Sequence, residues 1–128
     1  MGRILIIDDD PAFTRFLAAY IADNFPLLQV ETCNNPMTAL YSITVGSYDL
    51  MLIDLEMPAL DGLKILNFAV SAGMDKNRIV ILSGRDADFL HEVCPMGRCL
   101  AVLNKFEARQ KSVLDMVFSA LSRKAGAA

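Results

Sequence analysis

Four short apolar runs each deliver a polar residue where a buried strand should end. Residues 4–7 lead into Asp8, Asp9 and Asp10, residues 50–53 into Asp54, residues 79–82 into Ser83, and residues 100–103 almost into Lys105. Nearly unbroken apolar runs of this length suit strands covered on both faces, as in a parallel sheet. In an open α/β sheet, ligands bind outside the carboxyl ends of the strands, so these distant residues are expected to converge on one crevice. Several carboxylates, a hydroxyl and an ammonium then share a small volume. Aspartates so close raise one another's pKa unless a cation compensates them. The simplest reading is a divalent metal site beside a nucleophilic aspartate.

The rest of the chain fits that architecture. Short apolar runs alternate with stretches of helical period, five of each, which is the pattern of βα units around a parallel sheet. Strands are expected over 3–7, 28–32, 48–54, 78–83 and 100–103. Asp10-Pro11 and Asn35-Pro36 both read as an N-cap followed by proline at the first helical position. The first helix is expected to bury Phe13, Phe16, Leu17, Tyr20 and Ile21 before Pro26 stops it, and the second to bury Met37, Leu40, Tyr41 and Ile43 as far as Gly46. Asp61-Gly62 opens a third helix carrying Leu63, Ile65, Leu66, Phe68 and Val70, which Gly73 closes. A short, weakly patterned fourth helix is expected over 86–93. The last helix, with Val113, Leu114, Val117, Phe118 and Leu121, has the clearest amphipathic period.

Composition removes other classes. A chain of 128 residues with 54% hydrophobic content is expected to form one packed domain, over 1–124, with 125–128 as a tail or the start of a linker. The net charge of −3 and scattered basic residues argue against nucleic-acid binding; Arg109, Lys111, Arg123 and Lys124 read as a solvated helix face. Cys33, Cys94 and Cys99 are odd in number and lack CxxC spacing, so neither a disulfide framework nor a zinc site is indicated, and reduced thiols in the cytoplasm fit best. No apolar run approaches the ~20 residues of a membrane span, and no signal peptide or myristoylation pattern is present.

Each candidate residue has a plainer explanation to set beside the chemical one. Asp8 and Asp9 offer oxygen ligands to a hard cation such as Mg²⁺; as helix caps they would be redundant, because Asp10 already fills that place. Asp54 is the candidate nucleophile, since a carboxylate attacks phosphorus to give an acyl phosphate when the incoming charge is neutralised. The third helix starts later and has Asp61 as its better-placed cap. Ser83, beside the small Gly84, is placed to bind a phosphoryl oxygen, and Lys105 to supply a point charge, although serines in β-to-α loops and solvated lysines are common. His91, the one histidine, falls in a short polar helix and is not expected to be catalytic.

Taken together, these motifs resemble the receiver domain of two-component response regulators. The resemblance rests on ILIIDDDP at 4–11, YDLMLIDLEMPALDGL at 48–63, IVILSG at 79–84 and Lys105 beyond it, and covers nearly the whole chain. It implies a flavodoxin-like five-stranded parallel sheet in order 2-1-3-4-5, with Asp54 accepting a phosphoryl group from a histidine kinase or a histidine phosphotransfer protein. Mg²⁺ would be held by Asp9 and Asp54, by Asp8 largely through water, and by the backbone carbonyl of Glu56, with Ser83 and Lys105 on the phosphoryl group. Phosphorylation would shift conformation on the surface of the fourth helix, fifth strand and fifth helix, with an output domain or partner protein off this chain and a phosphorylation-dependent homodimer as the implied oligomer. As an expectation the chain is a signalling domain, not an enzyme beyond self-phosphorylation from small donors and self-dephosphorylation.

Two positions depart from the family pattern. Lys105 precedes Phe106, where receivers usually have a cis proline; a cis bond there would cost about 2.5–4 kcal/mol, so a trans bond and a remodelled loop are predicted. Val102 stands where receivers carry an aromatic ring that swings inward, and a β-branched side chain has little rotamer freedom to replace it. Signalling is then expected to run through the loop after Ser83 or through a dimer surface. The resemblance implies that Glu56 and Arg85 flank the pocket mouth, either paired with each other or as separate exposed charges. Two rival readings are a phosphorylation-independent interaction module and a haloacid-dehalogenase-type phosphatase using the DxD of Asp8 and Asp10. The second lacks a later acidic pair and leaves Asp54 unused.

Overall fold

The computed structural model describes residues 2–85, 89–90, 92, 94–95, 97–106 and 108–127, with the side chains of 108–110 and 127 excepted. In chain order the elements are β1 (Gly2–Ile7), α1 (Pro11–Asn24), β2 (Leu28–Cys33), α2 (Pro36–Val45), β3 (Leu50–Asp54), α3 (Gly62–Ser71), a 3₁₀ turn (Lys76–Arg78), β4 (Ile79–Ser83), β5 (Ala101–Asn104) and α4 (Ala108–Ala127). The expected fourth helix, and His91 within it, fall largely outside the described residues, so α4 is the fifth helix of the sequence pattern. All strand pairs are parallel and the sheet order is β2-β1-β3-β4-β5, as expected. Among the described residues no helix is long and apolar enough to cross a membrane.

Strand period two divides the core. Ile4, Ile6, Leu50, Leu52, Val80 and Leu82 point to the side where α1 and α4 bring Leu17, Ile21, Leu114 and Phe118. Leu5, Ile7, Met51, Ile53, Ile79 and Ile81 point to the other side, against Ala39, Ile65, Leu66 and Ala69 of α2 and α3. Every residue of β3 and β4 is buried, which is why both read as unbroken apolar runs. The three expected caps form. Asp10 accepts from the N–H groups of Ala12 and Phe13, Asn35 from Met37, and Asp61 from Leu63, so each helix begins at a fixed place beyond a strand end. Cys33, Cys94 and Cys99 are free and buried.

The helix faces differ from expectation at several residues. Phe16, Met37 and Tyr41 are 64%, 58% and 67% exposed, and Phe68 and Val70 also reach solvent. On α1 the buried line is Thr14, Leu17 and Ile21, and on α2 it is Pro36, Ala39 and Ile43. Neighbouring residues lie about 100° around a helix, so Phe16 and Met37 are carried off those lines. The strands also shift at their ends: β5 is Ala101–Asn104, not 100–103. The β4 register pairs Val80 with Ala101 and Ser83 with Asn104, which leaves Leu100 before the strand and half-exposed. β1 and β2 each gain a terminal residue, while β3 begins only at Leu50.

Candidate functional site

The four strand ends do converge. Asp8 follows β1 directly and is 1% exposed; its Oδ1 accepts the N–H of Asp10 at 3.0 Å and its Oδ2 accepts Lys105 Nζ at 2.5 Å. Asp54, the last residue of β3, is 4% exposed; its Oδ1 lies 3.3 Å from Lys105 Nζ and accepts the N–H of Glu56 at 3.4 Å. Asp9 is exposed beside them. Carboxylate oxygens of Asp8, Asp9 and Asp54 all lie within 4.8 Å of one another. Hard oxygen donors from so few carboxylates, open to solvent on the Asp9 side, fit a small divalent cation that keeps part of its water shell.

The electrostatics follow from that crowding. Burial, and then the neighbouring Asp8 carboxylate, push Asp54 from the ordinary 3.8 up to about 7, against the opposing pull of Lys105. Burial by itself would lower the Lys105 pKa. The hydrogen bond it donates to Asp8 and the charges of Asp54 and Asp8 outweigh it, so the ammonium is held above its ordinary value. Its charged end also lies 4.5 Å from the Phe13 ring centre.

Lys105 reaches this position without a cis peptide. No described peptide bond is cis, so the expected trans linkage to Phe106 is found. Asn104 shapes the loop instead: its Oδ1 accepts the N–H of Phe106 at 2.8 Å while its Nδ2 donates to the Arg85 carbonyl at 2.9 Å. The Lys105 N–H donates to the Ser83 carbonyl at 2.8 Å, which ties the lysine's backbone to the end of β4. Phe106 is 78% exposed, and its ring edge would lie 3.3 Å from a Cβ added to Gly84. Sequence reasoning missed Asn104. The available signal was an asparagine two residues before a backbone N–H it could cap.

Ser83 is fully buried and its hydroxyl donates to Glu56 Oε2 at 2.6 Å while accepting the N–H of Arg85 at 3.0 Å. The other carboxylate oxygen, Oε1, accepts the N–H of Gly84 at 3.1 Å. Glu56 therefore turns toward Ser83 and Gly84, while the Arg85 guanidinium lies 4.0 Å from the Phe89 ring centre. The alternative of a Glu56–Arg85 pair is not the arrangement found. Behind the site, Asn34 Nδ2 donates to the Asp8 carbonyl and to Thr14 Oγ1, fixing the β1 end to the start of α1; this link also escaped the sequence reading. Gly62 lets the chain pass close under the nucleophile candidate, since a Cβ there would sit 2.2 Å from the Asp54 carbonyl oxygen.

The chain is 29% identical over 86 residues to the transcriptional regulatory protein PcoR of Escherichia coli, covering 67% of this chain and 37% of that protein. It is 34% identical over 85 residues to the response regulator MprA of Mycobacterium avium, covering 66% of this chain and 36% of that one. The chain thus spans little more than a third of the length of these relatives. Among solved structures, the response regulator TrrA of Thermotoga maritima, in complex with Mg²⁺-BeF, superposes with a TM-score of 0.77 at 23% identity, covering 94% of this chain and 99% of that one. At that identity the likeness speaks for the fold. The response regulator receiver domain family matches residues 4–116, a span that holds all four strand ends. The chain therefore belongs to the response regulator receiver domain family, a family of signalling domains.

Proposed function

We propose that this receiver is a Mg²⁺-dependent phosphoacceptor in a bacterial phosphorelay, with Asp54 as the residue phosphorylated. The observation that carries the reading is the position of Lys105 Nζ, 2.5 Å from Asp8 and 3.3 Å from Asp54. A phosphoryl group arriving at Asp54 brings negative charge, and the ammonium is already aimed at the oxygens that would meet it. Asp54 Oδ attacks phosphorus as the bond to the donor's leaving group breaks, giving an acyl phosphate on the aspartate. Asp8, Asp9 and Asp54, with the Glu56 backbone carbonyl, would hold Mg²⁺, Asp8 largely through water. Bound there, the ion supplies charge neutralisation for the transferring phosphoryl and keeps Asp54 ionised. Ser83 offers its hydroxyl to a phosphoryl oxygen. The complex of TrrA with Mg²⁺-BeF supports the same ligand chemistry for this chain.

On this reading residues 1–124 form the receiver unit in the cytoplasm, the donor is a histidine kinase or histidine phosphotransfer protein, and the response is expressed through an output domain or partner protein, with a homodimer as the phosphorylated assembly. Val102 is half-buried in β5, so transmission runs through the loop after Ser83 in place of an aromatic relay. The family match leaves the phosphatase reading without support. A phosphorylation-independent interaction module is favoured only by Val102 and Phe106. Intact-mass measurement after incubation with Mg²⁺ and acetyl phosphate or phosphoramidate separates the two. One added phosphoryl group in the wild type and none in Asp54→Ala is the expected result; no addition to either, from small donors or a cognate kinase, refutes it.

A further inference from the structure

The carboxylate of Glu56 holds two donors at once. It accepts the buried Ser83 hydroxyl at 2.6 Å and the Gly84 N–H at 3.1 Å, one on each oxygen. Both are charge-assisted, and the pair forms a small anion cradle at the carboxyl end of β4. Ser83 is the hydroxyl that the phosphoacceptor reading offers to a phosphoryl oxygen, and Gly84 supplies the adjacent donor. An anion already sits in that cradle, and it belongs to the protein.

We propose that Glu56 is a displaceable internal ligand of the phosphoryl subsite, its carboxylate occupying the Ser83 and Gly84 donors until an incoming phosphoryl oxygen replaces it. The proposal rests on the phosphoacceptor reading. Two anions cannot share one hydroxyl proton, so binding at Asp54 requires the Glu56 side chain to leave. Departure is sterically open, because Glu56 is exposed and carries its carboxylate on a flexible stem. It is also coupled to the nucleophile, since the Glu56 N–H donates to Asp54 Oδ1 at 3.4 Å. Glu56 is thus a positioning residue that lowers apparent affinity for the phosphoryl group by the fraction of molecules in which the cradle is held. If nine-tenths are held, the loss is about tenfold.

The test is titration of Mg²⁺-loaded wild type, Glu56→Ala and Glu56→Asp with beryllium fluoride, followed by amide NMR, with half-saturating donor concentration for acetyl phosphate labelling as a second readout. Simple repulsion between a carboxylate and the anion would persist in Glu56→Asp, which keeps the charge but is one methylene too short to span both donors. Occupation of the cradle predicts that Glu56→Asp behaves like Glu56→Ala, both binding about tenfold tighter than wild type. The Gly84 amide resonance should also move in both variants before any ligand is added. Wild-type affinity in Glu56→Asp overturns the proposal in favour of bulk repulsion. Equal affinity in all three, or weaker binding in Glu56→Ala, overturns it while leaving the phosphoacceptor reading intact. Binding by none of them overturns both.

Discussion

Replacing Asp54 by asparagine in the metal-free protein should make the fold more stable, although it removes the proposed phosphoacceptor. Ionised Asp54 sits 4% exposed beside Asp8, and one ammonium serves both carboxylates. Its rise from 3.8 to about 7 corresponds, at about 1.4 kcal/mol per pH unit, to a cost of about 4–5 kcal/mol for ionising it in the folded state. The sign follows from proton counting. Between pH 4 and 7 the folded chain retains a proton at Asp54 that the unfolded chain has lost, so stability falls as pH rises through that window and is level above it. Asp54→Asn deletes this dependence, keeps an oxygen for the Glu56 N–H, and leaves Lys105 to Asp8. The expected gain at pH 8 is about 2–4 kcal/mol, a rise of about 10 °C in Tm for a domain of this size. Thermal unfolding by circular dichroism in EDTA at pH 5, 6, 7 and 8 measures it, and added Mg²⁺ should narrow the gap by stabilising the wild type preferentially. A variant no more stable than wild type at pH 8, or a difference that does not grow between pH 5 and 8, refutes the reasoning.

Lys105→Met removes the shared ammonium and should cost about 3–5 kcal/mol at pH 8 in EDTA by urea unfolding, with a smaller loss at pH 6 where Asp54 takes up a proton; a pH-independent loss would mean that packing, not charge, is what the lysine supplies. Asn104→Ala deletes the two hydrogen bonds that shape the Lys105 loop and should cost about 1–2 kcal/mol, with acetyl phosphate labelling slowed at a temperature where the variant is fully folded; unchanged labelling would show that Asn104 does not aim the lysine. Gly62→Ala brings a methyl group against the Asp54 carbonyl, a backbone atom that cannot rotate away, and should cost about 3 kcal/mol in denaturant melts; near-wild-type stability would place that backbone farther apart than described.

What was legible in the sequence was what short-range chemistry fixes. Strands covered on both faces must be apolar throughout, so β3 and β4 stand out, and Asp10-Pro11, Asn35-Pro36 and Asp61 mark helix starts because the first turn needs acceptors for its N–H groups. Those two signals place Asp8, Asp54, Ser83 and Lys105 at one edge of the sheet. The outward faces of α1 and α2 were less legible. Phe16 and Tyr41 are apolar enough to read as core, and only the rotation set by Leu17, Ile21, Ala39 and Ile43 puts them in solvent. Glu56 was assigned its backbone carbonyl and a place at the pocket mouth, yet its carboxylate binds Ser83. A long side chain's partner depends on which donors the fold brings near it, and here those donors lie 27 and 28 residues away. Asn104 belongs to the same class through one of its bonds: the Phe106 N–H is local, but the Arg85 carbonyl lies 19 residues away and comes within reach only after β4 and β5 pair.

These two residues meet on one turn. Glu56 holds Ser83 and Gly84 from the β3 side, and Asn104 holds the Arg85 carbonyl from the β5 side, where the Lys105 N–H also donates to the Ser83 carbonyl. The edge of the exposed Phe106 ring stands over Gly84, where an added Cβ would lie 3.3 Å from it, a tight contact. A shift of the Ser83–Arg85 turn therefore cannot stay local, because it stretches bonds to both flanking loops and presses on an exposed ring. Val102 cannot take up that motion by swinging: it is β-branched, half-buried, and packed against the cluster that includes Leu90 and Cys99. The bonded turn, with Phe106 at its edge, thus links the acidic site to the protein surface through hydrogen bonds to both flanking loops.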